Sequence, residues 1–97
     1  MTLTIAAIEK SLRYQRLALP GERVEALRDG YVLVWPEKSN KAYPRARLLL
    51  YRYSEGGLSL DYTVAVANEP LAVEEARRRL LEMVNEDRLA RSRVVGY

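Results

Sequence analysis

The chain has 97 residues, a length that suits one compact domain able to bury roughly two-thirds of its unfolded surface. Hydrophobic residues at 48% and charged residues at 30% describe a folded, soluble chain rather than a disordered one, and no apolar run nears the ~20 residues of a membrane span. Cysteine and histidine are both absent, which excludes disulfides and thiolate metal sites and removes the usual general base, while the net charge is only +3. The N-terminus lacks a signal-peptide pattern, so a cytoplasmic protein is expected.

In chain order, residues 4–19 read as a first helix, with Thr4 as N-cap and Ile5, Ile8, Leu12 and Leu19 near one face. Pro20-Gly21 ends it. Residues 22–28 fit either a short helix or a strand, and the turn pair Asp29-Gly30 leading into a strand favours the strand. Tyr31 to Trp35 is apolar on both faces, as in a central strand, and Pro36 stops it. Glu37 to Lys41 reads as an exposed polar loop.

The next stretch, Ala42 to Tyr53, organises the rest. In a strand, alternate side chains fall on opposite faces. One face carries Pro44, Ala46, Leu48, Leu50 and Arg52; the other carries Tyr43, Arg45, Arg47, Leu49, Tyr51 and Tyr53. Ser54 to Gly57 turns the chain into a last strand, Leu58 to Ala67. A two-residue Gly-Gly turn would set Tyr51 against Tyr62 and Arg52 against Asp61. A three-residue Glu-Gly-Gly loop with a glycine bulge sets Leu50 against Tyr62, Leu48 against Val64, Tyr51 beside Asp61 and Arg47 beside Ala65. The second register puts aliphatic with aliphatic and is the one expected. Asn68 as cap and Pro70 in the first turn open a second helix, with Val73, Ala76, Leu80, Leu81, Met83 and Val84 as its buried stripe. Glu74–Arg78 and Glu75–Arg79 are i,i+4 pairs, and the helix fades near Arg91.

The Tyr/Arg face is the main functional signal. Rings on which bases can stack, beside guanidinium groups that hold phosphate, are what a single-stranded nucleic-acid surface needs. Between Glu37 and Glu55 the only charges are Lys38, Lys41, Arg45, Arg47 and Arg52, so the local basic excess coincides with the tyrosines. The competing explanation is a sheet face covered by the N-terminal helix or by a second subunit. Trp35 shares a face with Tyr31 and Leu33, and such a residue is more often core than a stacking platform. Arg77-Arg78-Arg79 is hemmed by Glu74, Glu75 and Glu82, the pattern of a salt-bridged helix surface. Arg88, Arg91 and Arg93 either extend a basic patch or favour a helix C-terminus. Gly56-Gly57 lies between strands and reads as a turn, not a phosphate cradle. Asp61, Glu69 and isolated serines offer no paired spacing and no nucleophile motif, so no enzyme is expected.

Arginine outnumbers lysine 13 to 3, amide residues are few, and Glu and Arg recur at helical spacing, a pattern that suggests a thermophilic source. The order helix–strands–helix, with Tyr31, Trp35, Tyr43, Tyr51 and Tyr53 interleaved with Arg45 and Arg47, resembles the ThermoDBP-related single-stranded DNA-binding proteins of hyperthermophilic archaea. The resemblance spans roughly residues 20–90 and rests on composition, size and layout. It implies a four-stranded antiparallel sheet with helices packed against it, single-strand binding with little sequence preference, and a homo-oligomer. The double-stranded RNA-binding domain has a similar element order, but its second helix begins with lysines where this chain has Glu69, Glu74 and Glu75.

These readings give a single α+β domain over residues 1–97: an antiparallel sheet of three or four strands, with an N-terminal and a C-terminal helix packed on one face. The free face would bind single-stranded nucleic acid, DNA favoured. Tyr43, Tyr51 and Tyr53 would hold bases, with Trp35 as a further stacking candidate, and Arg45, Arg47, Lys38 and Lys41 would hold phosphates. No cofactor, metal or membrane is implied. The rival is a non-enzymatic protein–protein or oligomerisation module using the same face, since Tyr and Arg also anchor interfaces.

Overall fold

The computed structural model describes residues 4–38, 42–54 and 57–86. Helix α1 spans Ile5–Tyr14, strand β1 Glu22–Ala26, β2 Tyr31–Pro36, β3 Arg45–Ser54, β4 Gly57–Ala67, and helix α2 Pro70–Asn85. The strands form one antiparallel meander in the order β1-β2-β3-β4. The architecture is α+β, and among the described residues no helix is long and apolar enough to cross a membrane.

Helix α1 begins where its cap was expected, the Ala7 amide donating to the Thr4 hydroxyl at 3.2 Å. It ends five residues earlier than the hydrophobic spacing suggests. Arg16 takes a left-handed φ of 60°, and the amides of Leu17 and Ala18 both turn back to the Leu12 carbonyl. Leu17 and Ala18 then pack under the helix, while Leu19 stays exposed. Residues 22–26 are indeed a strand, joined to β2 by a single 3₁₀ turn, Arg28–Gly30, rather than by a two-residue hairpin. Asp29 and Gly30 hold the positive φ angles that let the chain reverse there.

The helices do not share a face. Ile8 and Leu12 of α1 pack on Val24, Val32, Val34, Leu49 and Tyr51. Ala76, Leu80 and Val84 of α2 pack on Tyr31, Leu33, Leu48 and Leu50, from the opposite side. The cause lies in the central strands: Tyr31 to Val34 and Leu48 to Tyr51 are buried at every position, so both sheet faces are apolar and each requires a cover. The expectation of one helical face and one free face is therefore corrected to a helix on each.

The β3–β4 register matches the expected one over the far half, with Arg47 against Ala65, Leu48 against Val64 and Leu50 against Tyr62. Nearer the turn it slips. Tyr51 lies against Leu60 and Ser54 against Gly57, so the extra residue is Asp61, a bulge inside β4, instead of a glycine in the loop. This bulge keeps Leu58 on the α1 side, packed beside that core, and Val64 and Val66 on the α2 side.

Candidate functional site

The Tyr/Arg face of β3 is divided by α1 into a covered part and an open part. Tyr51 is only 6% exposed, inside the core under Ile8 and Leu12, and burial pushes its phenol pKa up. Tyr53 is half-buried beside Ala7, Ile8 and Ser11 of α1. The Tyr51 ring offers no open face, because Ile8 and Leu12 of α1 supply the contacts a base would need, whereas Tyr53 borders an open pocket between α1 and the end of β3. Trp35 leaves the group as well. It points to the α2 side, where its indole N–H donates to Glu25 at 3.0 Å and the Arg77 guanidinium lies 5.0 Å above its ring.

Open to solvent is the start of β3. Tyr43 is 63% exposed, Arg45 is exposed and Arg47 is partly so. Together with Lys38 and the corner Leu19-Pro20-Gly21 they border a groove of about 380 Å³ whose floor includes Ala65. The groove exists because α1 stops early and the chain returns along β1, leaving the small side chains Thr63, Ala65 and Ala67 of β4 uncovered on this side. Lys41 lies outside the described residues, as do Arg88, Arg91 and Arg93.

Charge in the groove is predominantly positive. Arg45 and Lys38 have no ion-pair partner among the described residues, whereas Arg47 is held. Its Nε and one terminal nitrogen donate to the Glu22 carboxylate at 3.3 and 3.2 Å, and that nitrogen also reaches the Leu17 carbonyl at 3.4 Å. Glu22 in turn accepts from the Leu19 amide at 2.8 Å, and its side chain is only 9% exposed. Arg47 thus retains unused guanidinium donors in a fixed orientation.

Two participants escaped the sequence reading. Glu22 appeared only as part of an ambiguous element, with nothing in its spacing to link it to Arg47, 25 positions away. The sequence predicts Asn68 as the cap of α2, but the N-cap is Glu69, without a side-chain bond. Asn68 instead donates its side-chain amide to the Tyr43 carbonyl at 2.8 Å, while its backbone N–H reaches the Pro44 carbonyl at 3.1 Å. These bonds fix the segment that presents Tyr43. The arginine run of α2 behaves as a salt-bridged surface: Arg77 pairs with Glu25 and Glu74, Arg78 with Glu82, and Arg79 with Glu75. Among the described residues no group of three or more Asp or Glu is placed to hold a metal ion. No protein-family model, curated protein or solved structure matches the chain.

Proposed function

We propose that the protein binds single-stranded nucleic acid, DNA favoured and with little sequence preference, in the groove at the start of β3. The supporting observation is an exposed ring, Tyr43, beside Arg45, Arg47 and Lys38, with Glu22 already engaged by Arg47. In this reading a base stacks on Tyr43, an interaction open to any base because each has a π-face. Arg45 and Lys38 bond phosphate oxygens through charge-assisted hydrogen bonds, and Arg47 adds the donors that Glu22 leaves over. Duplex nucleic acid keeps its bases stacked inside, so the ring contact is lost there and single strands are preferred. With Tyr51 and Trp35 packed in the cores, the site takes a short stretch of strand rather than a run of stacked bases. Binding involves no chemical step. The resemblance to the ThermoDBP-related proteins, the thermophilic archaeal source it suggests and a cytoplasmic setting belong to this proposal.

Fluorescence anisotropy with labelled single-stranded DNA, single-stranded RNA and duplex DNA tests it. Single strands should bind more tightly than duplex, and Tyr43→Ala should weaken them by ~1–3 kcal/mol. Equal affinity for duplex, or a Tyr43→Ala variant that binds like wild type, would discard the groove as the site.

A further inference from the structure

We propose that the outer edge of β4 pairs with β4 of a second copy of this chain, antiparallel about a twofold axis, joining two four-stranded sheets into one. The inference does not depend on nucleic-acid binding. β4 is the last strand of the sheet, and at 11 residues it is long for an edge, yet its outer side is paired with no strand among the described residues. Folded proteins blunt such edges with charges, proline, bulges or short length. The opposite edge follows that rule: β1 has five residues, three of them Glu22, Arg23 and Glu25. On β4 the one charge, Asp61, sits at the bulge, and beyond it Tyr62-Thr63-Val64-Ala65-Val66-Ala67 carries neither charge nor proline. Tyr62 is 42% exposed, and Thr63, Ala65 and Ala67 are exposed on the other side. This six-residue run is the unprotected part of the edge.

The occupant is a second copy because the surroundings of the edge are self-complementary. Arg77 of α2 reaches Glu25 on β1, so the opposite flank of α2, with Glu75, Arg79 and Met83, overlooks β4. Between that flank and Tyr62, Val64 and Val66 runs an open groove of about 380 Å³. A twofold axis normal to the sheet near Val64 would set two α2 helices antiparallel on the same face. Helix α2 packs on Leu48 and Leu50 of β3, and the two β3 strands would then stand three strand spacings apart, about 14 Å. That separation slightly exceeds a helix diameter of about 10–12 Å, leaving room for long side chains to meet. The antiparallel arrangement brings Glu75 of each copy towards Arg79 of the other, extending the Glu75–Arg79 pair within each helix into a four-charge ladder.

The absence of cysteine makes the test direct. Sedimentation analysis of the full chain should give a dimer, and the double variant Thr63→Lys/Ala65→Lys, which sets like charges across the axis, should sediment at about half that mass with an unchanged far-UV spectrum. Single-cysteine variants Thr63→Cys and Ala65→Cys, treated with a short bismaleimide, should yield cross-linked dimers, whereas Tyr14→Cys on the exposed side of α1 should not. A wild type that stays monomeric up to its solubility limit would overturn the proposal. So would cross-linking through Tyr14→Cys with none through either β4 cysteine, a result that stands even if the lysine variant fails to fold.

Discussion

Arg77 of α2 clasps Glu25 of β1 with two parallel hydrogen bonds, 3.1 and 2.8 Å long, while its guanidinium covers the ring of Trp35. This one relationship ties the C-terminal helix to the far edge of the sheet, and it accounts for the only tryptophan as a structural residue. Both side chains are less than a quarter exposed, so solvent screens the pair less than it does a surface ion pair.

The clasp should make stability depend on acid. Arg77, chiefly through its hydrogen bonds, holds the Glu25 carboxyl below its ordinary value of 4.5. A carboxylate whose folded pKa is depressed stabilises the fold fully above the unfolded value and loses that contribution as pH falls through the lower, folded one. Glu25→Gln should therefore cost about 1–3 kcal/mol at neutral pH and flatten the loss of stability below pH 4.5. Denaturant titrations of both proteins at neutral and acidic pH check this; parallel pH profiles would remove Glu25 as the group responsible.

Tyr43 and Tyr51, eight positions apart on one face, should respond oppositely to truncation. Tyr51→Ala empties a site in the core and should cost ~3–5 kcal/mol of stability, with the folded fraction binding as wild type does. Tyr43→Ala should leave stability within about 0.5 kcal/mol and lower affinity for single strands. Thermal melts paired with binding titrations separate the two outcomes.

The arginines should differ in the same manner. Arg45→Ala and Arg47→Ala should each flatten the slope of log affinity against log salt by about 0.7 if each meets one phosphate. Only Arg47→Ala should also destabilise the fold, by about 1–2 kcal/mol, because it leaves the shielded Glu22 carboxylate without its partner. Glu22→Gln should strengthen binding by removing the one acid that lines the groove among the described residues. Salt series on the three variants measure these effects, and an unchanged slope for both arginines would place the phosphates elsewhere.

Gly30 should be intolerant of any side chain. It holds φ at +80°, and a Cβ there would stand 2.6 Å from the Tyr53 carbonyl oxygen, a backbone atom of β3. Gly30→Ala should cost about 2 kcal/mol or more from the left-handed conformation and the clash together. Gly21→Ala, at φ +87° with open space around it, should cost only the conformational part. Comparing the two melts isolates the contribution of the close approach.

Period-two alternation along Ala42 to Tyr53 was enough to sort Leu48 and Leu50 from Leu49 and Tyr51, and pairing of aliphatic with aliphatic was enough to set Arg47 against Ala65 and Leu50 against Tyr62. Thr4 and Pro70 likewise marked helix starts through local backbone chemistry, whereas Pro20-Gly21 lies beyond the end of α1, which stops at Tyr14, and leads into β1 instead. Such signals are short-ranged: they say which side chains share a face, not which element comes to lie on it. With Tyr31 to Val34 and Leu48 to Tyr51 apolar at every position, either face could receive a helix, and only the packed chain decided that α1 takes the tyrosine side and α2 the other. That choice buried Tyr51, left Tyr43 open, and put Glu22 beside Arg47 across 25 positions of sequence. The bulge at Asp61 was settled at the same level, since no local turn preference demands it. It lets Leu58 reach the α1 core while Val64 and Val66 reach the α2 core, a requirement that exists only once both layers are in place.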